Sequence, residues 1–238
     1  MGNSYFQFKQ FRIEQGSCAM KVTTDACILG AWVPVLPGVR RIMDIGAGTG
    51  LLTLMLAQRT EGVFIDGIEL DSDACAQARQ NVSSSPWGNR VTIIEGDVKQ
   101  YHPAEKYDVI ITNPPFFNNS LLGPAAARNA ARHTVWLSYN ELINAIAANL
   151  STDGYAAILL PLEESKTWKE VVAAKGWHIF KQLQVLHRPG AVVKRVVLLM
   201  SPTARGAEEE TEQLVIQNQD GTNTSDFIAL VQDFYLKA

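Results

Sequence analysis

No two cysteines stand close enough in this chain to frame a metal or a redox pair. Cys18, Cys27 and Cys75 are widely spaced and no C-x-x-C occurs. This excludes a disulfide scaffold and a cysteine zinc site, and fits reduced thiols in the cytosol. Cys27 and Cys75 fall in apolar helical patterns and read as packing residues. Long hydrophobic runs are also missing: nothing approaches the roughly 20 apolar residues that a bilayer span needs. Residues 1–10 are polar and aromatic with no apolar h-region, so no signal peptide is expected. Positive charge is not in excess. The 21 Lys and Arg face 24 Asp and Glu, a formal net charge of −3, which argues against non-specific nucleic-acid binding but leaves a local basic patch open. Repeats and low-complexity tracts are absent. His102, His178 and His187 have no partners visible in the sequence. The expectation is a cytoplasmic monomer with no metal and no membrane contact.

What is present is a core. The chain has 238 residues, 47% hydrophobic and 19% charged, enough to bury apolar surface without staples. From about Arg40 onward short apolar runs alternate with helical patterns, the signature of an α/β fold with a parallel sheet. Strands are expected at 41–45, 63–70, 91–95, 107–112 and 154–160, with helices at 51–59, 72–82, 142–150 and 163–175. The pattern then changes. Residues 178–186 and 192–200 alternate as strands around Arg188-Pro189-Gly190, which predicts an antiparallel hairpin at one sheet edge. Residues 207–212 read as an exposed acidic segment, 214–217 as a short strand and 225–236 as a last helix. The expected architecture is a doubly wound, mostly parallel sheet of seven strands with that antiparallel edge hairpin. Residues 1–238 form one domain, with 1–39 as an N-terminal cap containing a helix at 25–33.

Four motifs carry chemistry. Asp44-Ile45-Gly46-Ala47-Gly48-Thr49-Gly50 follows a buried strand and opens a helix. Gly46, Gly48 and Gly50 let the backbone turn tightly and approach a ligand, and the helix start offers free N–H groups. G-x-G-x-G differs from the G-x-G-x-x-G of NAD sites. Asp44 can hold the amino group of a cofactor's methionine part or orient the loop. Glu69, ending the second strand, can accept hydrogen bonds from both ribose hydroxyls of a nucleoside, NAD or S-adenosylmethionine (SAM) alike. Asp97, after the third strand, can receive an adenine amino group. The fourth motif, Asn113-Pro114-Pro115-Phe116, follows the fourth strand. An sp² amine is a poor nucleophile because its lone pair is delocalised. Two acceptors, the Asn113 side-chain carbonyl and the Pro114 main-chain carbonyl, can hold both amine hydrogens and favour tetrahedral geometry. The prolines stiffen the turn, and Phe116 can stack on a flat substrate. Taken singly, each motif also has a plain structural reading, as a turn or a strand-end carboxylate.

In this order the motifs resemble the amino-methyltransferases of the class I SAM-dependent group. Over nearly its whole length the chain is similar to the bacterial tRNA(Val) adenine-37 N6-methyltransferases. Phe8-Lys9-Gln10-Phe11, Cys18-Ala19-Met20-Lys21-Val22, Thr24-Asp25, Leu29-Gly30-Ala31-Trp32, Ser85-Pro86-Trp87 and Phe234-Tyr235-Leu236 carry that similarity. The resemblance implies a Rossmann-like fold, SAM as cofactor, and tRNA adenine N6 as target. It implies that Lys21, Thr24 and Asp25 close over the methionine end of SAM. It assigns SAM contacts to Asp44, Gly46, Gly48, Gly50, Glu69, Asp97 and Asn113, and catalysis to Asn113, Pro114 and Phe116. The family motif usually ends in Tyr. Phe116 keeps stacking and loses a hydroxyl hydrogen bond.

Residues 117–135 lack clear periodicity and follow the catalytic turn. Pro115, Arg128, Arg132 and His133 are expected to meet the substrate; a solvated loop is the plainer reading. Lys9, Arg12, Arg188, Lys194 and Arg195 are further candidates for a phosphate track. Three rival functions remain. A protein glutamine-N5 methyltransferase uses a similar turn, but 39 residues before the sheet are too few for the separate helical domain expected there. A ribosomal RNA adenine target is closer. A non-catalytic RNA-binding module would not need the intact glycines and Asn-Pro-Pro turn.

Overall fold

The computed structural model describes residues 3–16, 20–114, 137–206 and 208–237. A small antiparallel hairpin comes first, β1 (Tyr5–Gln7) with β2 (Arg12–Glu14). Helix α1 (Thr24–Trp32) follows. Its N-cap is Thr23, whose side chain accepts from the Ala26 N–H at 3.2 Å, so Thr24 and Asp25 lie inside the first turn and do not cap it. Then β3 (Arg41–Ile45), α2 (Leu51–Arg59), β4 (Phe64–Glu69), α3 (Ser72–Ser83) and β5 (Val91–Glu95) alternate. A short 3-10 turn (Val98–Gln100) leads to β6 (Tyr107–Thr112). Beyond 115–136 come α4 (Tyr139–Asn149), β7 (Leu150–Pro161), α5 (Leu162–Ala174), β8 (His178–Leu186), β9 (Arg195–Ser201), β10 (Glu210–Val215) and α6 (Ser225–Val231).

The main sheet runs β10-β8-β9-β7-β6-β3-β4-β5. From β3 the chain steps outward through β4 to β5, then returns to the other side of β3 to lay down β6 and β7. The order therefore reverses between β3 and β6, where open α/β sheets hold their ligands. Register aligns the carboxyl ends there: Ile45 is level with Ile68 and Thr112, and Ile68 with Ile94. Successive side chains point to opposite faces. Ile42, Ile65, Ile93 and Val109 pack under α1, α2 and α3 with Phe8, Phe11 and Ile13 of the N-terminal region. Met43, Ile45, Ile110 and Ile158 pack under α4 and α5, around Trp168. Each such side chain contributes roughly 1.5–3 kcal/mol of burial before chain entropy is counted.

The sheet has eight strands where the sequence suggested seven. The eighth is β10, which takes in the end of the acidic segment expected to be exposed at 207–212 and the start of the short strand expected at 214–217; it lies parallel to β8. Lys181 of β8 pairs with Glu212 at 2.6 Å and Glu210 at 3.4 Å, and Trp32 Nε1 donates to Glu212 at 2.7 Å. Those contacts hold the glutamates against β8, and charged residues suit an exposed edge. The hairpin is accordingly internal: β9 alone runs against the rest, between β7 and β8.

Candidate active site

The glycine loop leaves β3 and enters α2 through left-handed backbone. Gly46, Gly48 and Gly50 have φ of +71°, +55° and +80°, a region that side-chain-bearing residues rarely adopt. The Gly46 and Ala47 N–H groups both donate to Ile68 O, at 2.9 and 3.1 Å, and Gly50 N–H to Ala47 O at 2.8 Å. A Cβ on Gly46 or Gly48 would meet nothing within 4 Å, so the loop faces open space. Gly50 starts α2 without a side-chain cap, leaving amide donors at the helix start.

Two carboxylates hold this loop. Glu69 Oε2 accepts from Gly48 N–H at 2.7 Å and Oε1 from Asp71 N–H at 2.9 Å. Each oxygen keeps a lone pair for a further donor. Asp44 is fully buried. Its Oδ2 accepts from the Thr53 hydroxyl at 2.6 Å and the Thr53 N–H at 3.1 Å. Its Oδ1 is buried without a partner among the described residues. Burial pushes the Asp44 carboxyl up to about 7; the Thr53 hydrogen bonds oppose the shift and the Glu69 charge adds to it. A buried acid with an open oxygen fits a cationic group brought by a ligand. Asp97 stands further along the rim, capping the 3-10 turn: Oδ1 accepts from Lys99 N–H at 2.9 Å, and Lys99 Nζ lies 3.7 Å from Oδ2.

Asn113 follows Thr112, which is level with Ile45, the residue before Gly46. The Thr112 hydroxyl donates to Ile45 O at 2.9 Å, tying the ends of β6 and β3 together. The Asn113 Oδ1 is buried and accepts nothing among the described residues, while Nδ2 lies 3.8 Å from Met20 Sδ. An acceptor in that condition costs about 1–3 kcal/mol unless a ligand supplies the donor. Met20 brings the segment before α1 against the Asn-Pro turn. Asp25 reaches the same rim through an ion pair with Arg195 at 3.2 Å. The other two residues of that group turn elsewhere. Lys21 Nζ lies 3.4 Å from Asn3 O, and the Thr24 side chain sits against the Tyr235 hydroxyl. Pro115, Phe116, Arg128, Arg132 and His133 lie outside the described residues.

The family model described as "Methyltransferase small domain" matches residues 30–154. A tRNA1(Val) (adenine(37)-N6)-methyltransferase from Tolumonas auensis is 44% identical over 238 residues, 100% of this chain and 99% of the relative. The chain belongs to this methyltransferase family. A second member, from Dyadobacter fermentans and of the same name, is 40% identical over 99% of this chain and 98% of its own. Among solved structures, a predicted O-methyltransferase from Agrobacterium tumefaciens superposes with a TM-score of 0.71 at 17% identity, covering 88% of this chain and 96% of its own. That match speaks for the fold alone. As a member of the family the chain is a SAM-dependent methyltransferase.

Three residues that organise this methyltransferase site are not apparent from sequence motifs. Thr53 engages one oxygen of Asp44 and leaves the other open. Gly67, in the middle of β4, admits the loop: a Cβ there would lie 2.9 Å from Ala47 Cβ and 3.0 Å from Thr53 Oγ1. A glycine inside a strand pattern is the signal that could have marked it. The third is Asn81, on α3. No helix among the described residues is long and apolar enough to cross a membrane.

Proposed function

We propose that this chain transfers a methyl group from SAM to the exocyclic N6 amine of adenine 37 in the anticodon loop of a valine tRNA, as the names of its relatives say of them. The observation that carries the chemistry is Asn113: a buried side-chain carbonyl that accepts nothing among the described residues, directly after the end of β6 and beside β3 at the switch point.

SAM, when bound, supplies an electrophilic methyl group. Gly46, Gly48 and Gly50 admit it, Glu69 takes its ribose hydroxyls and Asp97 its adenine amine. The open Asp44 oxygen meets its amino-acid end, with Lys21, Thr24 and Asp25 on the segment that closes over it. The target adenine leaves its stack and lies against Phe116 beside Pro115. Asn113 Oδ1 and the Pro114 carbonyl each take one hydrogen of the N6 amine, drawing the nitrogen towards tetrahedral and aiming its lone pair at the methyl group. No strong base is needed, because the amine sheds a proton readily once it has become cationic. Positioning supplies most of the rate. Arg128, Arg132 and His133 meet the tRNA around the flipped base. Residues 1–238 work as one unit, with 1–39 as its cap.

Asn113→Ala tests this reading. Turnover on tRNA should fall by at least about 10²-fold, the usual cost of losing an oriented transition-state partner, while the dissociation constant for SAM stays within about threefold. Equal loss of SAM binding and turnover would make Asn113 a structural residue and overturn the assignment.

A further inference from the structure

We propose that Asn81 is a positioning residue that registers the N-terminal hairpin against the glycine loop, so that SAM binding and the placement of Met20 beside Asn113 are linked. This rests on SAM occupying the loop as described above.

Asn81 lies in the last part of α3 and is 2% exposed. Asparagine is a poor residue for a helix interior, and an inward position there normally takes an apolar side chain. Both amide hydrogens and the oxygen of this side chain meet main chain from two other segments. Nδ2 donates to Glu14 O at 3.0 Å and to Thr49 O at 2.9 Å; Oδ1 accepts from Glu14 N–H at 2.9 Å. Glu14 ends β2, so the amide meets both of its main-chain groups much as a neighbouring strand would. Thr49 sits between two left-handed glycines, Gly48 and Gly50. Asn81 thus fixes the outer half of the loop, while Glu69 fixes the inner half through Gly48 N–H.

The connection continues from β2. The next residue, Gln15, is buried; its Oε1 accepts from Val22 N–H at 2.9 Å and its Nε2 donates to Asn3 O at 3.0 Å. Val22 is two residues from Met20, whose sulfur faces the Asn113 amide at 3.8 Å. A continuous path therefore runs Thr49, Asn81, Glu14, Gln15, Val22, Met20, Asn113. It leaves the cofactor loop and arrives at the group that receives the target amine without passing through the sheet. Ordering the loop stiffens the hairpin, and the hairpin sets the segment that covers the catalytic turn. Physical coupling of this kind needs a contiguous network, and here each link is a stretch of chain, a hydrogen bond or a side-chain contact.

The test is hydrogen–deuterium exchange on the full chain with and without S-adenosylhomocysteine, in wild type and Asn81→Ala. In wild type the ligand should slow exchange both in the 46–50 loop and at the Glu14 and Val22 amides. In Asn81→Ala the loop should still be protected at saturating ligand, the added protection at Glu14 and Val22 should vanish, and KM for SAM should rise about tenfold. Wild-type Glu14 and Val22 amides that ignore a ligand which protects the loop would overturn the linkage, and so would protection that survives in Asn81→Ala. The wild-type arm decides the matter even if the variant folds poorly. A ligand that fails to protect the loop in wild type would instead overturn the cofactor assignment, and the linkage with it.

Discussion

Asp44 holds the strongest conflict at the residue scale: a carboxyl with no exposure, one oxygen saturated by Thr53 and the other open. With its carboxyl pushed up to about 7 by burial, the group is largely neutral in the free protein below that pH. Two consequences follow from linkage. An acid whose folded value is raised lends its stability in full below its ordinary range and loses it as pH rises. The ligand-free fold should therefore lose stability progressively between about pH 4 and pH 7, measurable by denaturant titration. Binding of a cationic amino-acid end favours the ionised form, so SAM affinity should fall by up to about tenfold per pH unit below about pH 7 and level off above it. Calorimetry across pH checks this. Asp44→Asn should weaken binding and flatten the profile; a variant that keeps the wild-type slope would place the titrating group elsewhere. The positions of Asp44, Glu69, Asp97 and Asn113 at or near strand ends are legible in the sequence, because each sits at a fixed offset from a glycine turn or a strand end. Thr53 and Asn81 are not. Thr53 reads as one more position on an apolar helix, and the partners of Asn81 lie far along the chain, 32 residues away at Thr49 and 67 at Glu14.

Elements were readable where hydrophobic period and turn chemistry agree. The β3–α2–β4–α3–β5 run shows that agreement: apolar strands, glycine at the first crossover, and Asp71 capping α3 with its side chain on Ala74 N–H at 2.8 Å. Helix α4 starts earlier than its apolar residues suggest, because Ser138 and Glu141 form a capping box. The short strand expected at 214–217 begins earlier, at Glu210, because the glutamates that extend it have partners, Lys181 and Trp32, that appear only in the fold. β9 begins at Arg195, three residues later than its apolar alternation suggests, and Arg195 there pairs with Asp25. Close packing of elements makes a sharp prediction at Gly67. A Cβ there would stand 2.9 Å from Ala47 Cβ and from Ile93 Cδ1. Gly67→Ala should therefore destabilise the fold by about 1–3 kcal/mol, as overpacking does, and loosen SAM binding by displacing Ala47. Urea unfolding and SAM titration read both; an unchanged midpoint would mean that the loop yields freely.

At the scale of the whole molecule, the net charge of −3 leaves RNA binding to local features. Of the basic residues suggested for a phosphate track, Arg12 is paired with Glu14 at 2.6 Å, Arg195 with Asp25, and Lys9 Nζ donates to Gln232 O at 2.6 Å. Arg188 and Lys194 make no ion pair among the described residues, and both lie in the loop that joins β8 and β9 at the end of the sheet where the parallel strands finish. Replacing either by Ala should weaken tRNA binding and lower the salt slope by about 0.7 for each single-strand phosphate that the side chain neutralises. An unchanged slope in filter binding over a range of salt would remove that loop from the interface. The most direct test is transfer itself. Purified protein is incubated with methyl-labelled SAM and bulk tRNA from cells lacking the modification, and the tRNA is digested to nucleosides. Label should appear in N6-methyladenosine, confined to a valine acceptor when the tRNAs are sorted. Unlabelled tRNA beside a labelled ribosomal RNA or release-factor preparation would contradict the proposed substrate.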